Sequence, residues 1–258
     1  MMGSLLPLID LQGRTGVVTG GSRGLGAATA KLFAMAGASV GIGYRSREEQ
    51  AMDVVHEMKE LGVHAWAEAG DLSRPEDARR LFERADREFD GLDFFVGNAG
   101  IWSSDAVALA DMEGKQWRET LACNIDSIFY STKEAVSRIR TGGAVVLVSS
   151  TAGQRGEAYH GDYAASKGAI ISLVKSLCVE LAPRGITVNA VAPGWIDTEL
   201  AQPAVTGEGR KEIEASIPIG RIATSDDVAG PIVFLCSPLA RHITGEILNV
   251  NGGAVLVG

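Results

Sequence analysis

Tyr163 and Lys167 are four residues apart in the segment Tyr-Ala-Ala-Ser-Lys. In a helix, that spacing places both side chains on one face. A phenol has a pKa of about 10 and is a poor acid or base at neutral pH, whereas a neighbouring ammonium group lowers that pKa by stabilising the phenolate. The pair therefore predicts a tyrosine that donates or accepts a proton, although a Tyr and a Lys at this spacing also occur on ordinary surface helices.

Two serines, Ser149 and Ser150, follow the β-branched run Ala144–Val148. Polar residues at the carboxyl end of a strand face the cleft where open α/β sheets bind their ligands. A hydroxyl group at that position orients a carbonyl and shares the charge that develops on its oxygen. The serines strengthen the interpretation of Tyr163 as an acid–base group, because both features would face one cleft.

A glycine-rich segment, Thr19–Gly26, lies between the first predicted strand and the first predicted helix. Glycines there let the backbone turn sharply and approach a pyrophosphate, and the helix N-terminus supplies N–H donors. The spacing is G-x-x-x-G-x-G instead of the commoner G-x-G-x-x-G. A plain tight turn also favours glycine, but the strand–loop–helix context favours nucleotide binding.

The end of the second predicted strand indicates which nucleotide binds. NAD sites commonly place Asp or Glu there to hold the ribose 2′-hydroxyl. This chain has Tyr44, Arg45 and Ser46, with no acid before Glu48. Arg45 and Arg23 would suit a 2′-phosphate, so the sequence favours NADP. The alternative is that both arginines are solvated surface residues.

The rest of the sequence predicts the elements that position these residues. The chain has 258 residues, 46% hydrophobic and 22% charged, and 32 glycines. The predicted strands are Gly16–Thr19, Ser39–Tyr44, His64–Glu68, Phe94–Val96, Ala144–Val148, Thr187–Val191 and Glu246–Val250. The predicted helices are Gly24–Ala36, Glu48–Leu61, Glu76–Asp90, Trp117–Arg140, Tyr163–Leu181 and Asp226–Leu235. This alternation predicts a single α/β domain over residues 1–258, with a parallel sheet of about seven strands and helices on both faces.

One connection is long enough to act as a lid. Residues 194–220 follow the sixth predicted strand and contain a short helical stretch around Glu208–Ser216. A long loop at the carboxyl end of a strand is where substrate lids are found.

Composition limits the classes of partner. A net charge of −8 argues against nucleic acid or an anionic membrane as the main partner. Cys123, Cys178 and Cys236 are too far apart for a metal site or a disulfide framework, so we expect free thiols and no metal. The first ten residues lack a basic region, and no run of 18 apolar residues occurs, so we expect neither a signal peptide nor a membrane span, and a cytoplasmic protein.

Together these features resemble the short-chain dehydrogenase/reductase family over essentially the whole chain, which implies a Rossmann-type doubly wound sheet. The matching motifs are Thr-Gly-x-x-x-Gly-x-Gly at 19–26, Asp71-Leu72, Asn98-Ala99-Gly100, Asn124, Ser150 with Tyr163 and Lys167, Pro193-Gly194 with Thr198, Ile243-Thr244-Gly245 and Gly252-Gly253. Ser150 is thirteen residues before Tyr163, as in the family pattern, so it is chosen over Ser149. Two positions depart from the pattern: Gly97 replaces a usual Asn, and Asn251 replaces a frequent Asp. We expect these departures to affect stability or affinity and not the reaction class.

The resemblance implies four catalytic residues. Tyr163 would be the proton donor or acceptor, and Lys167 would lower its pKa and bind the nicotinamide ribose. Ser150 would hold the substrate carbonyl. Asn124 would keep a water molecule that relays protons to Lys167. The alternative is that Asn124 is only a polar residue that distorts a helix.

The resemblance also implies a cofactor site. Asp71 would contact the adenine and Asn98 would pack beside the adenine ribose. Thr198 and the backbone of Ile196 would fix the nicotinamide carboxamide, although Thr198 also suits a helix cap for the lid. The expected cofactor-binding residues are Gly20, Ser22, Arg23, Gly24, Leu25, Gly26, Arg45, Asp71, Leu72, Asn98, Ala99, Gly100, Tyr163, Lys167, Pro193, Gly194, Ile196 and Thr198.

The function that follows is an NADPH-dependent ketoreductase, most similar to the 3-oxoacyl-acyl-carrier-protein reductases and usually homotetrameric. The substrate would be a small ketone or alcohol, with an acyl carrier protein thioester as a candidate. The candidate substrate-pocket residues are Trp102, Gln154, Arg155, Tyr159, His160 and Trp195. The alternatives are an NAD(P)-dependent alcohol, sugar or cyclic-alcohol dehydrogenase and a non-catalytic nucleotide sensor, which the complete Ser–Tyr–Lys–Asn set disfavours.

Overall fold

The sheet has seven strands, all parallel, in the order β3-β2-β1-β4-β5-β6-β7. A computed structural model describes residues 9–257. The strands are β1 Thr15–Thr19, β2 Ser39–Tyr44, β3 Ala65–Ala69, β4 Leu92–Gly97, β5 Ile139–Val148, β6 Thr187–Pro193 and β7 Ile247–Val250. The chain order reverses between β1 and β4, so a crevice opens at their carboxyl ends. The predicted fold class is confirmed.

Nine α-helices lie within the described residues and cover both faces of the sheet. They are α1 Gly24–Met35, α2 Glu48–Glu60, α3 Pro75–Glu88, α4 Gly114–Leu121, α5 Ser127–Val136, α6 Thr151–Arg155, α7 Gly161–Leu181, α8 Gly207–Ser216 and α9 Ser225–Leu235. None of these helices combines the length and the apolar character needed to cross a membrane.

Neighbouring phenylalanines on β4 show how the two cores form. Successive side chains of a strand point to opposite faces of a sheet. Phe94 stacks on Phe33 of α1, with ring centroids 4.0 Å apart, in the core beneath α1, α2 and α9. Phe95 meets Phe82 of α3 edge-on at 5.6 Å, in the core beneath α3, α5 and α7. Both faces of this central strand are therefore buried, as in other doubly wound sheets.

The predicted helix Trp117–Arg140 is wrong in its interior and at its end. The structure has α4, then a π-helical turn at Ala122–Asp126, then α5, which ends at Val136. Ile139 instead begins β5 by pairing with Leu92, and it is buried. The sheet gains an apolar contact and a paired backbone there, which outweigh the helical preference of the preceding residues. Helix α6 was not predicted.

The predicted lid loop, residues 194–220, joins β6 to the segment before α9 and carries α8. Ala201, Val205 and Ile217 of this loop are buried in a small apolar cluster together with Ile222, which follows the loop. Trp195 and Ile213 pack against this cluster. The loop is thus a packed unit over the carboxyl edge of the sheet and not an extended connection.

Candidate active site

A cavity of about 880 Å³ opens at the carboxyl edge of the sheet. All of the residues predicted to bind the cofactor line this cavity, and Ser150 does so as well. They come from loops that follow β1, β2, β3, β4, β5 and β6 and from the first turns of α1 and α7. Residues far apart in the sequence therefore meet in one crevice, as the reversal of strand order requires.

The glycine loop after β1 is shaped for an anion. Gly20 and Gly24 have φ of 66° and 53°, in the left-handed region that favours glycine. A Cβ atom on Gly26 would lie 2.2 Å from the carbonyl oxygen of Gly20, so only glycine lets α1 start this close to the loop. Arg23 is the N-cap of α1 and makes no side-chain cap hydrogen bond. The first-turn N–H groups of α1 lack a side-chain partner, and the loop fits a pyrophosphate group.

Asn98 supports this loop from β4. Its Nδ2 donates to the carbonyl oxygen of Thr19 at 2.9 Å. The Thr19 hydroxyl accepts from the backbone N–H groups of Asn98 and Ala99, each at 3.0 Å. The Asn98 amide is therefore committed to the protein backbone, and its visible effect is to hold the glycine loop in place.

Arg45 lies at the far end of the cavity, beyond β2. Its Nε is 3.7 Å from Oδ2 of Asp71, and its side chain is 62% exposed. Burial acts to raise the pKa of Asp71, but hydrogen bonds from Ser73 and the charge of Arg45 hold that pKa below its usual value. Another guanidinium nitrogen, Nη1, is 3.5 Å from Sγ of Cys123. These weak contacts leave the guanidinium group available to an anion.

Arg23, the other predicted phosphate ligand, forms an ion pair with Glu199. Glu199 belongs to the lid loop, and Thr198 beside it lies 3.5 Å from the Cβ position of Gly24. Residues 198 and 199 thus contact the glycine loop, and Arg23 is paired with a carboxylate where a phosphate was expected.

Ser150, Tyr163 and Lys167 all line the cavity, and Ser150 and Lys167 both lie close to Tyr163. Lys167 Nζ is 5.7 Å from the centroid of the Tyr163 ring and donates to the carbonyl oxygen of Val148 at 2.9 Å. Burial raises the pKa of Tyr163 to about 12, the hydrogen bond with Ser150 opposes this, and the charge of Glu157 adds to it. Burial lowers the pKa of Lys167 to about 8.

The expected lowering of the Tyr163 pKa by Lys167 is therefore not realised in this structure. The ammonium group is directed at the Val148 carbonyl, and burial disfavours its charge.

The two neighbouring serines differ in their contacts. Ser149 is buried, and its hydroxyl donates to the carbonyl oxygen of Lys167 at 2.8 Å. The Ser150 hydroxyl oxygen caps α6 by accepting from Ala152 N at 3.1 Å, and it also interacts with the phenol of Tyr163. Both serines line the cavity, but the Ser149 hydroxyl is committed to the Lys167 carbonyl, whereas Ser150 interacts with Tyr163, and this contact favours Ser150 over Ser149.

Asn124 lies in the π-helical turn and is fully buried. Its Oδ1 accepts from Ile101 N at 2.7 Å, and its Nδ2 donates to Ile101 O at 2.9 Å and to Ser166 Oγ at 3.0 Å. The side chain does not line the cavity and has protein partners at both ends, so a proton relay through Asn124 would use its backbone. The observed effect of the side chain is to tie the loop after β4 to α7.

Three of the six candidate substrate-pocket residues line the cavity. Trp102, Arg155 and Trp195 line the cavity, and the two indole rings meet edge-to-face at 5.6 Å. Gln154, Tyr159 and His160 do not line it. Gln154 Nε2 donates to Asn249 Oδ1 at 2.7 Å, the Tyr159 side chain is 61% exposed, and the His160 ring packs on Trp102 at 5.2 Å. Gln154 lies in α6, and Tyr159 and His160 lie in the turn before α7.

Several residues of the site were not found from the sequence. Glu157, Leu200, Ala254 and Val255 also line the cavity. An isolated acid in a loop and apolar residues near the end of a chain carry no periodic signal. Asp162, just before Tyr163, was also missed; it is buried and accepts from Thr120 Oγ1 at 2.7 Å, which links α4 to the first turn of α7.

Comparison with known proteins agrees with this geometry. A family model described as enoyl-(acyl carrier protein) reductase matches residues 20–255. The 3-oxoacyl-(acyl-carrier-protein) reductase FabG of Vibrio cholerae is 36% identical over 251 residues, which cover 96% of this chain and 100% of that protein. The chain belongs to the short-chain dehydrogenase/reductase family.

Other relatives within the short-chain dehydrogenase/reductase family differ in substrate. The 3β-hydroxysteroid dehydrogenase 1 of Eggerthella lenta is 36% identical over 252 residues, covering 96% of this chain and 95% of that protein. A short-chain dehydrogenase of Burkholderia cenocepacia, solved in complex with NADP, superimposes with a TM-score of 0.90 at 37% identity, covering 95% of this chain and 99% of that one.

The structure explains both departures from the usual pattern of this family. A Cβ atom on Gly97 would lie 2.7 Å from Leu147 Cδ2 and 2.9 Å from Ile128 Cδ1, so a side chain there would displace these two methyl groups. Asn251 accepts from Gly253 N at 2.9 Å, as a carboxylate would, and also donates to Val255 O at 2.9 Å, which a carboxylate cannot do. The second bond holds the cavity-lining segment at Val255.

Proposed function

We propose that the protein is an NADPH-dependent ketoreductase that converts a carbonyl group to a secondary alcohol. The observation that carries this proposal is the convergence of Ser150, Tyr163 and Lys167 on one wall of a cavity. The same cavity has an anion-binding glycine loop and Arg45 at its other end. The relatives named for 3-oxoacyl reduction and for bound NADP support the reaction and the cofactor.

The dinucleotide would be held by the glycine loop, by Arg45 and by the cavity wall from Asp71 to Thr198, and it supplies a hydride when bound. Ser150 orients the carbonyl and stabilises the charge on its oxygen. Tyr163 donates its proton to that oxygen, and its raised pKa keeps the phenol protonated until it does so. Lys167 supplies positive charge beside the phenol at pH values below about 8.

The substrate we propose is a 3-oxoacyl thioester, with acyl carrier protein as a candidate carrier. The second candidate is a cyclic or polycyclic ketone, which the Trp102–Trp195 wall and the hydroxysteroid dehydrogenase relative favour. NADPH oxidation should be measured against 3-oxoacyl thioesters, diketones, sugars and cyclic ketones. Turnover of the thioesters above the other classes supports the first candidate, and turnover of none of them contradicts the proposed function.

We also propose that the protein is cytoplasmic and forms a homotetramer. Residues 194–220 would act as its substrate lid. Helices α5 and α7 expose Phe129 and Val179, at 50% and 72%, which supports burial of these helices between subunits. The three cysteines are free, as expected for a reducing compartment. Sedimentation equilibrium measures the subunit number.

Cofactor preference depends on Arg45 in this proposal. Wild-type protein should bind NADPH more tightly than NADH, and Arg45→Asp should lower NADPH affinity by about 10- to 100-fold, because a phosphate-binding cation becomes a repelling charge. Fluorescence titration with both dinucleotides measures the effect. Arg74→Asp is the matched control, since Arg74 also lies near Asp71 but does not line the cavity. Equal affinity of the wild type for NADPH and NADH would contradict the prediction.

Ser150 and Ser149 give a second matched pair. Ser150→Ala should lower kcat/KM for the ketone by roughly 10- to 1000-fold, because it removes the group that faces the carbonyl. Ser149→Ala should instead lower the free energy of unfolding by about 1 kcal/mol, because the buried Ser149 hydroxyl donates its hydrogen bond to the Lys167 carbonyl. Steady-state kinetics and urea unfolding separate the two effects. Equal kinetic losses for both variants would count against the role of Ser150.

The lid should respond to the cofactor. We expect backbone amides of residues 195–217 to exchange more slowly when NADPH is bound, because Arg23 would exchange its Glu199 partner for a phosphate and Thr198 faces the same space. Hydrogen exchange with and without NADPH measures this, with α2 as the internal reference. Unchanged exchange in the lid would show that it does not take part in cofactor binding.

A further inference from the structure

Glu157 lies in the turn between the helix that Ser150 caps, α6, and the helix that carries Tyr163, α7. Gly156 ends α6 with a φ of 78°, and Tyr159 has a φ of 64°, the only residue other than glycine with a positive value in the described part of the chain. Val107 N donates to Tyr159 O at 2.9 Å and anchors the turn from the loop after β4. The turn therefore has a defined shape, and it places Glu157 on the cavity wall.

The Glu157 residue is half-buried. Among residues 9–257, no Lys, Arg or His nitrogen lies within 4.0 Å of its carboxylate oxygens, so it forms no ion pair there. Burial raises its pKa, although the charges of His160 and Arg155 oppose this. His160 is packed behind Trp102 and does not reach the cavity. Glu157 thus presents an anionic acceptor to the cavity without a direct counter-ion.

Glu157 shares the cavity with several apolar residues. Trp102 and Trp195 form an edge-to-face pair on its wall, and Leu200, Ala254 and Val255 also line it. An ion pair or hydrogen bond is strengthened, and like-charge repulsion is increased, where apolar walls exclude water. Arg155 also lines the cavity, but its side chain is exposed to solvent, which screens its charge.

We propose that Glu157 is a specificity-determining residue that admits substrates whose groups beside the reacting carbonyl are neutral or donate hydrogen bonds, and rejects substrates with a carboxylate there. This inference rests on the proposed ketoreductase function. For 3-oxo compounds, Glu157 would separate esters and thioesters, which are neutral at this position, from the corresponding free acids. The selection works by repulsion against the wrong substrate and not by an added contact to the right one.

A second consequence concerns the acid–base group. The charged groups that face the Tyr163 phenol are Lys167 from α7 and Glu157 from the preceding turn, with the neutral hydroxyl of Ser150 from the cap of α6. The negative charge of Glu157 disfavours the phenolate and so keeps Tyr163 protonated. Removing that charge should move the alkaline limb of the kcat profile to lower pH, an effect that a purely structural role would not produce.

The test compares Glu157→Gln with wild type on a neutral 3-oxo ester and its free acid, for example ethyl acetoacetate and acetoacetate. Wild type should have a kcat/KM for the ester at least about tenfold above that for the acid. In Glu157→Gln, kcat/KM for the acid should rise about tenfold, and that for the ester should change by less than about twofold, the size expected for one unit charge across a partly solvated site. NADPH affinity and circular dichroism check that the variant is folded.

Two further variants sharpen the test. Arg155→Gln should have the opposite effect and lower kcat/KM for the acid, because it removes the cation that partly offsets Glu157. Glu113→Gln, which changes an exposed acid outside the cavity, should leave the ratio of ester to acid unchanged.

An unchanged ratio in Glu157→Gln, or an equal loss for both substrates, overturns the inference while the ketoreductase function stands. A wild type that prefers the free acid also overturns it. If wild type reduces neither this pair nor any ketone of the panel, the proposed function fails first and the inference fails with it.

Discussion

Tyr163→Phe is expected to lower kcat for ketone reduction by about 10²- to 10⁴-fold, the usual contribution of a positioned general acid. The reason is that the substitution removes only the hydroxyl that donates the proton, and the ring remains to fill its place near Lys167. The dissociation constant of NADPH should stay within about twofold, because no backbone or charge changes. Single-turnover NADPH oxidation and a fluorescence titration measure the two quantities.

Tyr159→Phe is the matched control for this change. Tyr159 belongs to the turn just before α7, its side chain is 61% exposed, and it does not line the cavity. Its kcat should equal that of wild type. A Tyr163→Phe variant that reduces ketones within a few-fold of wild type would remove Tyr163 from the mechanism, whatever the result for Tyr159.

Lys167→Ala should lower turnover by an amount similar to Tyr163→Phe and should weaken NADPH binding as well. Lys167 is buried, lines the cavity and lies 5.7 Å from the centroid of the Tyr163 ring, so its loss removes positive charge from the space that the phenol shares with the cofactor. Lys175→Ala, on an exposed position of the same helix, is the control.

The pH dependence of NADPH binding tests the same residue independently. The pKa of Lys167 in the folded protein is about 8, so its positive charge is lost as the pH rises through that value. NADPH affinity of the wild type should therefore fall above about pH 8, and Lys167→Met should lack this fall.

The stability of the folded protein should depend on pH in the opposite sense to NADPH affinity. The folded state lowers the Lys167 pKa from 10.5, so it binds that proton less tightly than the unfolded chain does, and stability is reduced at pH values below about 8. Lys167→Met should raise the Tm of the free protein at pH 7 while it abolishes turnover. A variant that loses both activity and stability would indicate a structural role instead.

The sheet and the phosphate loop could be predicted because their signals are local. Buried parallel strands appear as short β-branched runs, and a glycine loop between a strand and a helix indicates close backbone approach. The reversal of strand order between β1 and β4 then brings Gly20, Arg45 and Tyr163 into one crevice, although they are far apart in the chain.

The parts that could not be predicted depend on packing between distant elements. The π-helical turn at Ala122–Asp126 interrupts a sequence that has an ordinary helical pattern, and it is accompanied by the bonds of Asn124 to Ile101 and Ser166. Gly97 was recognised only as a departure from the family pattern, and the structure shows that it leaves the space that Leu147 and Ile128 occupy. The charge state of Tyr163 follows from burial and from Glu157, and neither is visible in a Tyr-x-x-x-Lys spacing.

The central claim is that this cavity transfers a hydride from NADPH to a ketone, and isotope transfer tests it most directly. The protein should be incubated separately with each of the two C4-deuterated epimers of NADPH. The second substrate should be the ketone that gives the fastest oxidation of NADPH. Mass spectrometry should find one deuterium on the carbinol carbon of the product alcohol from one epimer and none from the other. Oxidation of NADPH that yields no alcohol, or alcohol without deuterium from either epimer, would contradict the claim.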